Sequence, residues 1–335
     1  MPDSISPLLS SAIAARADLF DTQHESAFRL FNGFFEGCPD LVIDLYARTL
    51  VLHDYAELPE SAQARLAEAQ EFLRGQLPWA RAMVLKTRRA SDLDARRGVV
   101  LYGEKPDRRV HDPGSKVWYA IDLLQSRDAS FYLDTRNLRA WAQSHLAGKT
   151  VLNTFAHTGS LGVAAQAGGA SRVAHLDRSR DLLNIAKTSY TLNGIPIHKE
   201  DFLAGDFFTQ VSHLKRAGER FDCVLVDPPF FSTTSKGTVD LVHASHRVIN
   251  KIRPLVNDGG YLVAINNALF VSGAETIKTL DDLCADGYLS IEELIPVPPD
   301  FTGYPQTITR TPPVDPAPFN HSTKIAVLRV RRKAA

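Results

Sequence analysis

Cysteine is scarce in this 335-residue chain: Cys38, Cys223 and Cys284 are its three, and they lie far apart. That spacing argues against a disulfide framework and against a cysteine-based zinc cluster. Long apolar runs are missing as well. Nothing approaches the ~18 unbroken apolar residues of a membrane span, and the N-terminal MPDSISPLLSSAIAARADLF is too polar and broken for a secretory leader. A cytoplasmic location is the expectation. There is no net charge either: 38 Lys and Arg balance 38 Asp and Glu, which neither favours nor excludes a nucleic-acid partner. No fixed-period repeat or low-complexity tract stands out. What the chain does have is an ordinary apolar content of 44%, enough for a sizeable core, and a length that suits roughly two domains of ~100–200 residues.

Charge is nevertheless uneven. Arg81, Lys86, Arg88, Arg89, Arg96, Arg97, Lys105, Arg108 and Arg109 crowd one stretch against four acids, and Lys324, Arg329, Arg331, Arg332 and Lys333 gather near the C-terminus. Such clusters either meet phosphates or form a solvated surface, and the sequence leaves both readings open.

The chain reads as two unlike halves. Residues 1–125 carry strand-like runs at Leu41–Asp44, Thr49–Leu52, Ala82–Lys86 and Val99–Tyr102, with Val117–Ile121 as a further candidate, around a helical stretch at Glu60–Gln76. That pattern suggests a small α+β domain. Residues 126–335 alternate strand, turn and helix. Thr150–Asn153, Arg172–Leu176, Phe221–Val226, Tyr261–Ile265 and Ile325–Val330 are the strands, and a helix opens at Ser179 or Arg180 with Leu182, Leu183 and Ala186 on one face. The near-continuous apolar run at Phe221–Val226 suits a central parallel strand buried on both sides. An α/β, Rossmann-like, doubly wound sheet is expected.

In such sheets ligands bind beyond the carboxyl ends of the strands, and there the chain places unusual residues. The first strand runs into Asn153-Thr154-Phe155-Ala156-His157-Thr158-Gly159-Ser160-Leu161-Gly162, whose glycines are expected to let a ligand approach the backbone. Asp177 closes the second strand, 18 residues after Gly159, where a carboxylate can take both ribose hydroxyls of an adenosine. Nicotinamide enzymes share this logic, but the G-x-G-x-x-G spacing of a pyrophosphate cradle is absent. Asp227-Pro228-Pro229-Phe230 follows the central strand directly. Two prolines fix the backbone and remove two donors, so that an aspartate beside exposed carbonyls can hold an amino or ring-nitrogen edge while an aromatic stacks on the base.

Residues 20 to 270 resemble the bacterial large-subunit ribosomal RNA methyltransferases that include the cytosine-5 and guanine nitrogen-7 enzymes. The resemblance is carried by Phe28-Arg29-Leu30, Leu41-Val42-Ile43-Asp44, Phe131-Tyr132-Leu133-Asp134-Thr135-Arg136, Asn153-x-Phe155-x-x-Thr158-Gly159, Asp177, Leu192-Asn193 and Asp227-Pro228-Pro229-x-Phe231-Ser232. It implies a class I fold with a seven-stranded sheet, S-adenosylmethionine as cofactor and RNA as partner. It further implies that Phe131, Asp134 and Arg136 cover the cofactor, that Asn153, Phe155, Thr158 and Gly159 lie beside its methionine part, and that Asp177 holds the ribose. Asp206 and Phe207 would border the adenine. Asp227, Pro228, Pro229 and Phe230 would orient the accepting atom, with Phe231 and Asn267 against the substrate base.

The departures are informative. Relatives that methylate cytosine at carbon 5 need a cysteine nucleophile after the fifth strand, and this chain has Ile265-Asn266-Asn267-Ala268 there. A ring nitrogen attacks a sulfonium methyl without covalent help, so nitrogen methylation is favoured. Many relatives begin with an RNA-binding PUA domain, for which there is no room before Ser26. Pro296–Lys324 does not match them and is expected to be a long ordered loop against the site, with Arg310 and His321 as speculative contacts. His243 and His246 fall on an expected helix without a third metal ligand, so no metal is expected. Monomer or homodimer stays open. Rival readings are a protein or small-molecule methyltransferase, a non-catalytic RNA-binding module and a nicotinamide oxidoreductase.

Overall fold

The computed structural model describes residues 4–57, 59–103, 105–309 and 315–332. Arg310 and Lys333, both singled out above, lie outside them. The chain divides into two compact units, Met1–Leu133 with Pro298–Pro313, and Asp134–Val297 with Val314–Ala335. The second unit thus starts at Asp134 rather than 126, and half of the Pro-rich segment groups with the first unit.

In the first unit, β1 (Ala27–Asn32), β2 (Leu41–Tyr46), β3 (Thr49–Asp54), β4 (Ala82–Thr87) and β5 (Val99–Tyr102) form a sheet in that order. Only the β3–β4 pair is parallel, and helix Pro59–Gln76 makes the crossover between its strands. One face is apolar: Phe28, Leu30, Ile43, Leu45, Leu50, Leu52 and Met83 pack with Leu9, Ala12, Ala69 and Leu73 of helices Ser6–Ala15 and Pro59–Gln76. Buried charges also occupy the sheet. Arg29 Nε lies 2.8 Å and His53 Nε2 3.1 Å from the Asp44 carboxylate. Burial alone would raise that carboxyl, but Arg29 and His53 hold it well below the usual range. β6 (Arg109–Val110) and β7 (Tyr119–Ala120) make a short ribbon, which is all that forms of the strand expected over Val117–Ile121.

The basic cluster of this unit is largely neutralised. Arg88, Arg89, Arg97, Arg108 and Arg109 pair with Asp128, Glu57, Asp94, Asp122 and Glu25 respectively. Lys86 is buried and donates to the carbonyls of Arg97 and Ser126, and burial brings it down to about 8. The Pro-rich segment also does structural work here. The Arg29 amide donates to Asp300 Oδ2 at 2.9 Å, Asn32 Nδ2 to the Phe301 carbonyl at 2.7 Å, and the Arg29 guanidinium sits 4.0 Å from the Phe301 ring centre.

The second unit holds β8 (Thr150–Thr154), β9 (Arg172–Asp177), β10 (Phe202–Ala204), β11 (Phe221–Val226), a hairpin of β12 (Phe231–Thr234) and β13 (Gly237–Asp240), β14 (Val256–Asn266), β15 (Leu289–Ile295) and β16 (Lys324–Val330). Seven of these form one sheet in the order β10-β9-β8-β11-β14-β16-β15, parallel except for β16, which runs antiparallel to both neighbours. Alternate residues feed two cores. Val151, Val173, Cys223, Leu225 and Val263 join Leu138, Trp141 and Leu161 in one, while Leu152, Ala174, Val224, Val226 and Leu262 join Val211, Val248 and Leu280 in the other. Both faces are therefore covered, which explains the unbroken apolar strands. This is the Rossmann-like α/β fold that the alternation predicts. Cys223 is fully buried within β11. His243 precedes helix Ser245–Ile252 instead of lying on it. Among the described residues, no helix is long and apolar enough to cross a membrane, and no group of three or more metal-ligating side chains is assembled.

Candidate active site

Strand order reverses between β8 and β11: from β8 the chain steps outward to β9 and β10, then returns to β11 on the other side. The carboxyl ends of these strands frame the crevice in which such sheets bind ligands. The loop after β8, Asp177 at the end of β9, Asp206 after β10 and Asp227 after β11 all lie at this end of the sheet.

The loop after β8 is tightly wound. Phe155 and His157 adopt φ of 52° and 51°, and Gly159 a φ of 78°. Such values are uncommon for residues with a side chain, and here neighbouring hydrogen bonds hold them. The Ala156 amide donates to the Leu176 carbonyl at 2.9 Å. Asp177 clamps the turn with both oxygens, Oδ2 accepting the His157 amide and Oδ1 the Ser179 amide, each at 2.8 Å. A carboxylate has about four acceptor sites, so room remains on Asp177 for further donors.

The glycines also meet an internal packing need. A Cβ at Gly159 would stand 2.6 Å from the Ala186 Cβ, and one at Gly162 2.4 Å from His175 Cε1 and 2.9 Å from Val173 Cγ1. They let helices Ser160–Ala167 and Arg180–Leu192 close on β9, which is an internal packing need. Asn153, likewise expected beside the cofactor, is only 1% exposed, with its amide nitrogen 3.5 Å from His175 Nδ1. His175 Nε2 in turn meets the Tyr190 hydroxyl at 3.0 Å, and its ring stacks on Phe202. Burial drives the imidazole down to about 3, so it stays neutral. Thr158 is buried too. These residues shape the loop from behind.

Asp206 caps helix Phe207–Arg216, its Oδ1 accepting the Thr209 amide at 3.0 Å and the Thr209 hydroxyl at 3.1 Å. Burial opposes its ionisation, yet these bonds and one from Thr234 leave the carboxyl lower than usual. Phe207 is buried, with its ring stacked 4.5 Å from that of Phe155. Phe131 belongs to the first unit and is 1% exposed, packed at 4.9 Å against Tyr119, while its carbonyl accepts the Tyr46 hydroxyl at 3.2 Å. The Phe131 side chain is thus part of the first unit's packing. Its neighbour Tyr132 is 40% exposed.

The turn after β11 carries the strongest electrostatics. Pro228 is buried, and its carbonyl accepts Asn267 Nδ2 at 3.0 Å, so one of the two carbonyls expected to face the ligand already has a protein donor. Asp227 is half-buried and enclosed by protein. Burial, reinforced by the charge of Asp134, pushes its carboxyl up to about 7, against a smaller opposite effect from Asn267. Asp134 Oδ2 accepts the Thr323 hydroxyl at 2.6 Å. The charge of Asp134 thus acts on Asp227 at the head of β11, and among the described residues neither carboxylate is ion-paired with a Lys or Arg. Beneath the turn, a cavity of about 30 Å³ lined by Val226, Pro228, Leu241, Ala264, Asn266 and Lys324 has space only for water-sized molecules. The hairpin β12–β13 was not foreseen from the alternation of the sequence. Its only early signals are Thr-rich residues flanking Ser235-Lys236-Gly237.

Residues 34–303 match the profile of the S-adenosylmethionine-dependent methyltransferases. The chain belongs to that family. Among individual proteins, it is 31% identical over 258 residues to the ribosomal RNA large subunit methyltransferase I of Vibrio cholerae, covering 76% of this chain and 64% of that one. It is 28% identical over 284 residues to the enzyme of the same name from Photobacterium profundum, covering 85% and 71%. In structure it is similar to a proposed S-adenosylmethionine-dependent methyltransferase of Streptococcus mutans, with a TM-score of 0.81 over 98% of this chain and 82% of that one at 19% identity. The methyltransferase therefore uses S-adenosylmethionine, and the crevice beyond β8, β9 and β11 is where its fold offers a site.

Proposed function

We propose that this methyltransferase modifies a base nitrogen in RNA, with ribosomal RNA as the first candidate. The observation that carries the reading is the Asp227-Pro228-Pro229 turn, tied to Asn267 by the 3.0 Å bond to the Pro228 carbonyl. The relatives named as ribosomal RNA methyltransferases support the RNA assignment. S-adenosylmethionine supplies an electrophilic methyl on a sulfonium centre. The protein has to hold this cofactor, present the acceptor in line and exclude water.

Asp177 suits the ribose hydroxyls, since its carboxylate is fixed by two amides and retains acceptor capacity. Asp206 and the backbone at Phe207 border the adenine. Asp134 and Asp227 suit the methionine ammonium, because burial and then the Asp134 charge raise the Asp227 carboxyl, and a cation between the two relieves that cost. Arg136, Phe155 and the backbone at Thr158 and Gly159 complete the methionine side. Phe230 and Phe231, 58% and 54% exposed, offer faces for the acceptor base, and the first unit would contribute substrate recognition. A base within structured RNA has to leave its stack to arrive here.

Nitrogen is favoured over cytosine carbon 5 because β14 ends in Asn266-Asn267-Ala268. Cys223 cannot serve as the thiolate that carbon 5 methylation requires: it is fully buried in β11, and burial pushes its thiol far up. The guanine nitrogen-7 branch is therefore the nearer of the two. Alignment of nucleophile, methyl and sulfur is worth up to ~7–11 kcal/mol.

The test is calorimetric titration with S-adenosylmethionine and its demethylated product, beside Asp177→Ala, followed by methyl transfer to unmodified ribosomal RNA. Micromolar binding lost in the variant, and label in a base nitrogen, are the expected results. A folded protein that binds neither ligand overturns the cofactor site, and transfer to protein but not RNA overturns the substrate class.

A further inference from the structure

Four large apolar side chains stand exposed in the segments after β11 and β14: Phe230, Phe231 at the start of β12, Leu269 and Phe270, the last two at 72% and 81%. Exposure on a loose loop would say little, but the turn carrying Leu269 and Phe270 is pinned at both ends. Ala268 is buried, its amide donates to Asn266 Oδ1 at 2.9 Å, and its carbonyl accepts Lys324 Nζ at 3.2 Å and the Val271 amide at 3.3 Å. On the far side Ser272 caps helix Gly273–Cys284 in a reciprocal capping box with Glu275, and the Gly273 amide donates to Asp315 Oδ2 at 2.7 Å. Leu269 and Phe270 are thus held out in water by an anchored backbone.

Their position is equally specific. Asn267, the residue before Ala268, bonds the Pro228 carbonyl, and Asn266 Nδ2 lies 3.4 Å from the Leu241 carbonyl, so the loops after β11 and β14 are joined. Glu275 and Asp315 border the far end of this turn, whereas the stretch that follows β11 is basic. From Pro228 to Ile252 the chain carries Lys236, Arg247 and Lys251 against the single acid Asp240. Asp240 turns its carboxylate onto the amides of Val242 and His243, both at 3.0 Å. Lys236 at the hairpin tip and Arg247 in the first turn of helix Ser245–Ile252 are exposed, and both lie on the stretch between β11 and β14. Aromatic faces beside cations are the combination that grips unstacked nucleic acid strands.

We infer that the Leu269–Phe270 turn is a second base-contacting surface, on which a nucleobase neighbouring the acceptor nucleotide stacks while Lys236 and Arg247 meet the flanking phosphates. This rests on the RNA reading above, and its test is chosen to fail separately from it.

The experiment compares wild type, Phe270→Ala, Leu269→Ala and Phe270→Trp on unmodified ribosomal RNA and on a single-stranded RNA 20-mer of mixed sequence. Stacking on one side chain is worth between about 5-fold and about 150-fold in affinity. Phe270→Ala is therefore expected to weaken RNA binding and lower kcat/KM within that range, while the calorimetric Kd for S-adenosylmethionine stays unchanged. Phe270→Trp is expected to restore activity and to add a fluorescence that the 20-mer quenches beyond the wild-type response. Wild-type methylation of RNA with no change in Phe270→Ala and Leu269→Ala overturns the inference and leaves the RNA reading standing. So does a wild-type dimer that Phe270→Ala splits in sedimentation, since the patch would then cover a second copy. Absence of RNA methylation in the wild type overturns the RNA reading itself.

Discussion

The ammonium site proposed at Asp134 and Asp227 predicts that cofactor binding depends on pH in a defined direction. Asp227 titrates at about 7, because burial and then the charge of Asp134 disfavour its ionised form. A methionine ammonium bound beside it needs that ionised form, so binding below pH 7 has to expel a proton. Each pH unit below the pKa costs about 1.4 kcal/mol, or about tenfold in affinity. An α-ammonium group keeps its proton below about pH 7.7, which isolates the protein's titration in the window from about pH 7 down to about pH 5.5. Across that window the Kd for S-adenosylmethionine is expected to rise ~15-fold. Calorimetry in two buffers of different ionisation heat should record about 0.9 proton released by Asp227 at about pH 6 and about a quarter of one at about pH 7.5. Asp134→Asn removes the charge that raises Asp227, so the midpoint should move down while affinity at about pH 7 weakens. His321, whose Nδ1 accepts the Thr323 amide at 3.1 Å, is the imidazole nearest in sequence to the hydroxyl on Asp134, so His321→Gln controls for its titration. A flat Kd across the window, or a proton release untouched by Asp134→Asn, refutes the reasoning.

Two further outcomes concern stability. Gly162→Ala places a Cβ 2.4 Å from His175 Cε1 and 2.9 Å from Val173 Cγ1, an overpacking that should cost ~1–3 kcal/mol in chemical denaturation; an unchanged midpoint would mean that helix Ser160–Ala167 can shift outward freely. Asp227→Asn should stabilise the protein at about pH 8 and hardly at about pH 4. The wild-type carboxyl keeps its proton in the folded state up to about 7, whereas the unfolded chain releases it from about 3.8, so native stability falls as pH rises between these values and then levels off. Solvent reaches part of the group, which limits the expected gain to ~1–3 kcal/mol. Thermal melts at both pH values check it, and an equal gain at both would assign the effect to packing instead of charge.

What could be read from the sequence follows from where the physical signal is local. The strands β8, β9, β11 and β14 carry apolar runs because both of their faces are covered, and a run of that kind is visible one residue at a time. β10 and β15 were missed for the opposite reason: Phe202–Ala204 is only three residues long, and β15 shows the burial of an edge strand, with Ser290, Glu292 and Glu293 exposed. The hairpin β12–β13 is short and mostly of Ser, Thr and Gly, with Phe231 and Val239 as its apolar members, too few for periodicity to register. Asp177 and Asp227 were legible because strand ends concentrate ligand chemistry in this topology. The pairing of Asp227 with Asp134 was not, since the two are brought together only by the fold.

The glycine loop shows how a packing need can stand beside a proposed ligand role. Gly159 and Gly162 do mark the loop after β8, yet the atoms that exclude a side chain there belong to Ala186, His175 and Val173. The same His175 meets Asn153 on one side of its ring and Tyr190 on the other. A buried Asn–His–Tyr series costs burial of polar groups that only full hydrogen bonding offsets, so it constrains the loop backbone strongly. Phe155 and His157 can then hold left-handed backbone angles with the His157 amide aimed at Asp177. The carboxylate that the ribose would meet is thus positioned by a network behind it, and residues that never touch the cofactor decide its geometry. Mutational tests that alter Asn153 or His175 should therefore read out as weakened S-adenosylmethionine affinity together with lower stability, whereas Asp177→Ala should lose affinity with the fold intact.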